Sequence, residues 1–463
     1  MNNVLSDDVI AAISTPVGTG GIGIVRLSGA ESLQVADRVF VSPSGKSVTT
    51  FPSHTIHYGH VVGRDGAVID EVMLTVMRAP KTYTREEIVE INCHGGNVVV
   101  GMVLQAVIDA GARLADPGEF TQRAFVNGRI DLSQAEAVMD VIDAKTEAGV
   151  SYSLNQLSGG LSKKYQGIDD ELLHLLTYID AALDYPEYDV EEVTEQELDQ
   201  SIHHMIDEID ELLQSAKVGK VVRDGIDTVI LGEPNVGKSS LMNKLLHEEK
   251  ALVTNIPGTT RDTIEDYLNI GGVPFHIIDT AGIRETDDVI EKMGVERAKQ
   301  MVNQAELVLY IEDVSRETSN GDQKWMSLLE GKKVLHIYNK SDLIDEDDQA
   351  SLKDHLSDNQ IVLSVKSEEG LQTLKQKMVE MAVGSDSVVR KDDPIVSNVR
   401  HISLLKQVRQ NLESALESMA MGMSVDIVAI DLKDALDNLR KITGQSLGDD
   451  IIDQIFANFC LGK

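Results

Sequence analysis

Nine consecutive residues, Gly232-Glu233-Pro234-Asn235-Val236-Gly237-Lys238-Ser239-Ser240, satisfy G-x-x-x-x-G-K-S, a spacing that lets backbone N–H groups close around phosphates. Lys238 is placed to reach the β- and γ-phosphates and the Ser239 hydroxyl to hold Mg²⁺, while the N-terminus of the following helix adds its positive dipole end. Asn235, Val236, Gly237 and Ser240 complete the phosphate-contacting run. Three further stretches follow in order. Thr254-Asn255-Ile256-Pro257-Gly258-Thr259-Thr260 lies where a switch loop folds over the γ-phosphate, with Thr260 as a second Mg²⁺ ligand. Asp279-Thr280-Ala281-Gly282 ends an apolar run, so Asp279 can hold the Mg²⁺ shell and the Gly282 N–H can approach the γ-phosphate. Asn339-Lys340-Ser341-Asp342 is a guanine reader, and Ser364-Val365-Lys366 suits a loop that backs the base. A carboxylate at Asp342 accepts from guanine N1–H and its exocyclic amine. Adenine would leave that charge unpaired, so GTP is preferred over ATP.

The position after Gly282, where small GTPases carry a water-orienting Gln, holds Ile283. Glu291 or Glu285 could orient the water instead, and Arg284, Arg261 or a bound cation could neutralise the transition state. The residues alone do not choose.

These groups need strands and helices to hold them. Thr228–Leu231, Phe275–Ile278 and Val334–Tyr338 read as buried strands, and Leu241, Leu245 and Leu246 recur at helical spacing after the phosphate loop. The expected fold is an α/β P-loop GTPase domain inserted into an α-helical domain and preceded by an α+β N-terminal domain. The divisions are residues 1–120, 121–220 for the first helical part, 221–384 for the GTPase domain, and 385–463 for the second helical part. In the first of these, strands are expected at Val9–Ile13, Ile22–Leu27, Val72–Met77 and Ile88–Ile91, with helices at Ser32–Val39 and Val98–Ala110. Gly18-Thr19-Gly20-Gly21-Ile22-Gly23 matches the dinucleotide fingerprint, but the residues after it alternate like a strand, which argues for a hairpin-like turn presenting Arg26 to an anion. Ser133-x-x-Glu136 reads as a capping box, and helices fit Leu161–Leu183 and Glu195–Lys217 around a break at Tyr185-Pro186-Glu187-Tyr188-Asp189. Two helical regions flanking an α/β domain predict one discontinuous helical core.

With 463 residues and a net charge of −34, the chain holds several cores and repels polyanions, which argues against broad binding to nucleic acid or anionic membranes. Cys93 and Cys460 are too few for a disulfide framework. Cys93 is expected to pack near its strand and Cys460 to have a structural role or to adjoin a bound ligand. No signal-peptide pattern or spanning apolar run is visible, so a cytoplasmic location is expected.

Taken with Gly20 to Arg26, Cys93-His94-Gly95-Gly96, Pro117 to Phe125, Asp131 to Ala137 and the terminal Phe459-Cys460-Leu461-Gly462-Lys463, the GTPase boxes make the chain resemble the MnmE (TrmE) family of tRNA-modification GTPases over essentially its whole length. The resemblance implies an N-terminal domain that dimerises and binds 5-formyl- or methylene-tetrahydrofolate, with Arg26, Glu90, Arg129 and Lys463 at folate-contacting positions. Arg129 stands where some relatives have Lys, which keeps the charge and changes its geometry. It implies potassium activation, with K⁺ held by Asn235, Thr254, Ile256 and Thr259, and water oriented by Glu291. The catalytic set is then Glu291, Lys238 and Asn235. It implies a homodimer that joins the FAD protein MnmG in a heterotetramer and adds a carboxymethylaminomethyl-type group at C5 of wobble uridine 34, with tRNA held largely by MnmG. The alternatives are a ribosome-assembly GTPase acting as an RNA-binding switch, disfavoured by the acidic flanks, and the cytosolic part of a membrane transporter.

Overall fold

The computed structural model describes residues 8–16, 18–184, 195–249, 267–278, 294–316, 329–384 and 394–463. The N-terminal region builds a seven-stranded sheet from β1 (Ile10–Ile13), β2 (Ile22–Ser28), β3 (Phe40–Val41), β4 (Thr55–Val62), β5 (Val68–Met77), β6 (Ile88–His94) and β7 (Arg113–Leu114), in the order β3-β4-β5-β6-β2-β1-β7. All its pairings are antiparallel except β1 with β7. Helices α1 (Ser32–Val39) and α2 (Asn97–Asp109) cover one face, and Val25, Leu27, Leu74, Ile91, Val103 and Val107 meet in the core. Such fully buried aliphatic side chains each contribute about 1.5–3 kcal/mol.

The glycine-rich run leads into β2, so the dinucleotide fingerprint opens no helix here. Arg26 sits in the middle of β2, paired across the ladder with Glu90, which corrects the expectation that a turn presents it.

Then come α3 (Glu119–Val126), α4 (Leu132–Asp143), α5 (Glu147–Leu157), α6 (Gly160–Asp184) and α7 (Glu195–Asp224). The capping box at α4 is shifted from the expected Ser133/Glu136 pair. Asp131 is the N-cap: its carboxylate accepts from the Gln134 N–H at 2.9 Å, and the Gln134 side chain accepts from the Asp131 N–H at 3.0 Å. Glu136 is instead buried, taking Arg400 Nε at 2.9 Å and Arg400 Nη2 at 2.8 Å, with His401 Nε2 2.7 Å away. Helix α7 runs on beyond Lys217 and past residue 220 into the first strand of the next sheet.

That sheet has six strands, β8 (Ile226–Gly232), β9 (Tyr267–Ile270), β10 (Val273–Ile277), β11 (Leu307–Asp313), β12 (Lys333–Asn339) and β13 (Gln360–Val362), in the order β13-β12-β11-β8-β10-β9. All pairs are parallel except the β9–β10 hairpin. Helices α8 (Lys238–Glu249), α9 (Gly294–Gln304), α10 (Glu346–Asp354) and α11 (Leu371–Val383) belong to this unit. After crossing from β10 past β8 to β11 the strand order reverses, and the crevice beyond the strands' C-terminal ends is where such sheets hold ligands.

The chain then returns as α12 (Val399–Ala420), α13 (Val425–Thr443) and α14 (Asp449–Phe456). Leu405, Val408, Leu412 and Leu432 share one core with Tyr165, Ile168, Ile202 and Met205, so residues on either side of the six-stranded unit form a single helical body with that unit inserted. Arg440 locks the halves further, with its Nε donating to Asp169 Oδ1 at 2.7 Å.

Candidate functional site

The residues predicted to read GTP lie at the C-terminal ends of parallel strands. The phosphate loop follows β8 and enters α8; Asn339 ends β12; Asp313 ends β11; and Ser364 follows β13. Gly237 shows why the loop demands glycine. Its φ is +107°, and a Cβ there would stand 2.3 Å from Asn339 Nδ2, because the Asn339 side chain presses directly on the loop.

Asn339 is buried, and its amide bridges two loops. Nδ2 donates to the Val236 carbonyl at 2.7 Å, and Oδ1 accepts from the Val365 N–H at 3.2 Å. Lys340 adopts a left-handed φ of +66°, and its Nζ donates to the Asn235 carbonyl at 2.8 Å and to Asp313 Oδ2 at 2.6 Å. Asp342 is exposed, and its Oδ1 accepts from the fully buried Ser364 hydroxyl at 2.7 Å. The Ser364 hydroxyl thereby fixes the orientation of the exposed Asp342 carboxylate, the group expected to read the base. Lys366 follows in the same loop. Lys238 Nζ donates to the carbonyls of Gly232 at 3.0 Å and Glu233 at 2.7 Å, which folds its ammonium over its own loop. Ser239 and Ser240 are exposed in the first turn of α8 and Asn235 at the loop's tip.

Asp313 escaped the sequence reading. Burial pushes its carboxyl up, but hydrogen bonds from Lys340 and Ser315 outweigh that and hold it below the ordinary value. It therefore stays anionic and anchors the lysine of the guanine reader. Its signal was an acidic residue closing the apolar run Leu307–Ile311, the same placement that marks Asn339 after its own strand.

Thr254, Asn255, Ile256, Pro257, Gly258, Thr259, Thr260, Asp279, Thr280, Ala281, Gly282 and Glu291 all lie outside the described residues, as do Arg261, Arg284 and Glu285. What is described of their frame is the hairpin from Tyr267, where β9 begins, to Ile277, where β10 ends, which lies in sequence between the two expected switch segments.

A second cluster forms where the C-terminal tail crosses β2. Arg26 Nε donates to Glu90 Oε1 at 2.8 Å and its Nη1 to the Gly462 carbonyl at 3.4 Å, while its guanidinium carbon lies 5.8 Å from the Phe120 ring centroid. The same Gly462 carbonyl accepts from the Ser14 hydroxyl at 3.1 Å, and a Cβ at Gly462 would collide with the Ile13 carbonyl at 2.4 Å. Arg129 sits 4.7 Å over the Tyr83 ring and donates to the Tyr83 carbonyl at 2.9 Å. Lys463 is half-buried; burial and then the Arg26 charge lower its basicity, with Glu90 offsetting only part. Arg26, Glu90 and Lys463 thus share one electrostatic neighbourhood, and Arg129 flanks Tyr83.

Cys93 is buried on β6, where its Sγ donates to the Gly23 carbonyl at 3.3 Å, and burial pushes its thiol up to about 11. Cys460 is exposed in the tail. No helix among the described residues is long and apolar enough to cross a membrane.

The family described as "GTP-binding protein TrmE N-terminus" matches residues 9–129, and "MnmE helical domain" matches residues 132–460. The tRNA modification GTPase MnmE of Geobacillus thermodenitrificans is 50% identical over 98% of this chain and 99% of its own. The MnmE of Bacillus subtilis is 48% identical over 98% of this chain and all of its own. Among solved structures, the G domain of the T. maritima FeoB iron transporter is 28% identical over 34% of this chain and 98% of its own, with a TM-score of 0.24. With both family segments matched in order and half the residues shared end to end with a full-length member, the chain belongs to the MnmE family of tRNA modification GTPases.

Proposed function

We propose that this chain is a potassium-activated GTPase that hydrolyses GTP to GDP and phosphate in the service of tRNA modification. The observation that carries the nucleotide reading is the clamp in which Asn339 ties the Val236 carbonyl to the Val365 N–H while Ser364 aims Asp342. Three loops that would touch phosphate, base edge and base face are tied to one another by these bonds, which limits the ordering that would oppose binding.

In this reading Lys238 leaves its carbonyl partners for the phosphates. Ser239 and Thr260 hold Mg²⁺ with Asp279 behind them, a role that suits the exposed Ser239 in the first turn of α8. Asn235, with Thr254, Ile256 and Thr259, holds K⁺, which supplies the positive charge that an arginine finger supplies elsewhere. The fit rests on Asn235: its backbone carbonyl is fixed by Lys340 while its side chain stays exposed at the loop tip. Glu291 orients the attacking water. Asp342→Asn should move preference from GTP toward xanthosine triphosphate, because the side chain facing the base's second position now donates. Unchanged GTP preference in competitive binding would contradict the base-reading role.

The cluster of Arg26, Glu90, Arg129 and Lys463 would hold a tetrahydrofolate derivative. The fit is electrostatic: two neighbouring cations, one of them half-buried and less basic than usual, match the carboxylates of the folate tail, and Glu90 can accept from pterin N–H groups. The folate supplies the one-carbon unit. Titration with 5-formyltetrahydrofolate should show weaker binding to Arg26→Ala, and equal affinity would refute that contact.

With a homodimer joined to MnmG, the product is a carboxymethylaminomethyl-type group at C5 of wobble uridine 34. The charge of −34 supports MnmG as the main tRNA-holding surface. Deletion should remove the C5 substituent from wobble uridines, read by mass spectrometry of tRNA nucleosides, with ribosome profiles intact.

A further inference from the structure

The tip of the phosphate loop is held in an unfavourable backbone shape by a side chain from another strand. Among the described residues five that are not glycine take a positive φ, and two of them, Asn235 in the loop and Lys340 after β12, both at +66°, are joined by one hydrogen bond, from Lys340 Nζ to the Asn235 carbonyl at 2.8 Å. The left-handed region is disfavoured for any residue with a Cβ, so such a residue persists only where its surroundings hold it. At Asn235 the holding group is the Lys340 ammonium.

That ammonium is itself fixed from behind. Its other partner is Asp313 Oδ2 at 2.6 Å, at the end of β11. Asp313 is buried; its Oδ1 accepts from the Ser315 N–H at 3.1 Å and from the Ser315 hydroxyl at 2.6 Å, and Arg316 Nε lies 3.3 Å from Oδ2. A lysine side chain is a flexible stem that keeps one geometry only against a fixed partner, and here the partner is a carboxylate pinned at both oxygens. The contacts therefore run from Ser315 through Asp313 and Lys340 to the Asn235 carbonyl, and they end at the exposed tip that carries the Asn235 carboxamide. Holding that carbonyl holds the Asn235 backbone, and with it the direction in which the carboxamide leaves the loop.

We propose that Asp313 is a positioning residue for cation-assisted hydrolysis: by fixing Lys340 it keeps the Asn235 carboxamide where a monovalent cation beside the triphosphate can use its oxygen. The inference rests on the K⁺ reading given above, and it adds a residue that acts only through Lys340 and the loop. A cation that exchanges water for a protein oxygen gains most when that oxygen is already in place, because no ordering of the ligand then opposes binding. One lysine thus serves both the guanine reader and the cation ligand.

Formation of a fluoroaluminate complex with a fluorescent GDP reads cation binding without turnover. It is titrated with KCl at constant ionic strength made up with NaCl, with nucleotide saturating for each protein. Half-formation should need roughly tenfold more KCl in Asp313→Asn than in wild type, the loss expected of one hydrogen bond to a charged group. Ser315→Ala keeps the Asp313 charge and loosens only its anchor, so it should move half-formation the same way by about two- to threefold. It separates positioning from the loss of a negative charge, and because Ser315 is exposed it decides the matter if Asp313→Asn does not fold. A wild type indifferent to K⁺ would overturn the cation reading and this inference with it. A K⁺-dependent wild type whose half-formation concentration is unchanged in Asp313→Asn, or in Ser315→Ala, would overturn this inference alone, even if GDP binds more weakly to the variants.

Discussion

The side-chain amide of Asn339 donates to the Val236 carbonyl at 2.7 Å, so the guanine reader and the phosphate loop are one hydrogen-bonded unit. The bond crosses between strand ends on either side of β11, and Lys340 doubles it by donating to the neighbouring Asn235 carbonyl. In the proposed reading, base recognition and phosphate geometry are therefore coupled.

Asn339→Ala should weaken GDP and GTP binding together. It strands the Val236 carbonyl and the Val365 N–H, at about 1–3 kcal/mol for a buried group, or roughly a tenfold loss or more in affinity. Titration with a fluorescent guanine nucleotide reads this directly. Unchanged affinity would mean that water satisfies both groups and that the bridge positions nothing.

The ion cluster at Glu136 should make the helical body acid-sensitive. Burial alone would raise this carboxyl, but His401 and Arg400 outweigh burial and bring it down to about 2. A depressed carboxylate contributes stability that is fully present above its unfolded value of about 4.3 and is lost as pH falls through the folded value. The difference amounts to about 3 kcal/mol. In urea titrations Glu136→Gln should be less stable than wild type by about that much at pH 7, with the gap narrowing between pH 4.5 and pH 3. A pH-independent gap would show that lost packing, not charge, sets the cost.

The two cysteines should differ sharply towards a thiol reagent. Cys93 is buried, donates to Gly23, and has its thiol pushed up to about 11, whereas Cys460 is exposed. Iodoacetamide at pH 7.5 should modify the native protein at Cys460 only, and Cys460→Ser should stay unlabelled until denatured. Rapid labelling of Cys93 in the native state would contradict its packing between β2 and β6.

Much of this architecture was legible from pattern alone. Ser32–Val39 has the periodicity of the helix it forms, and the discontinuous helical core followed from two helical regions flanking an α/β domain. The glycine-rich Gly18–Gly23 run could be set aside because Ile22–Leu27 alternates, and β2 forms there. Side-chain competition between near-equivalent residues was not legible. Both Asp131 and Ser133 can cap a helix, and what settles it is that Glu136 is drawn into an ion cluster by Arg400 and His401, 264 and 265 residues away. Asp313 was missed for a related reason. Its role depends on the parallel register that brings it opposite Asn339, beside Lys340, and no local spacing reports a register.

In the proposed mechanism a monovalent cation at Asn235 does the work of an arginine. It is tested by steady-state GTP hydrolysis in KCl against NaCl, for wild type and Asn235→Ala. Asn235 has a φ of +66°, so alanine also strains the loop, and GDP affinity measured on the same samples separates strain from lost cation binding. K⁺ should accelerate the wild type on the order of tenfold or more, and a variant that still binds GDP almost not at all. Equal stimulation of both proteins by K⁺ would contradict it.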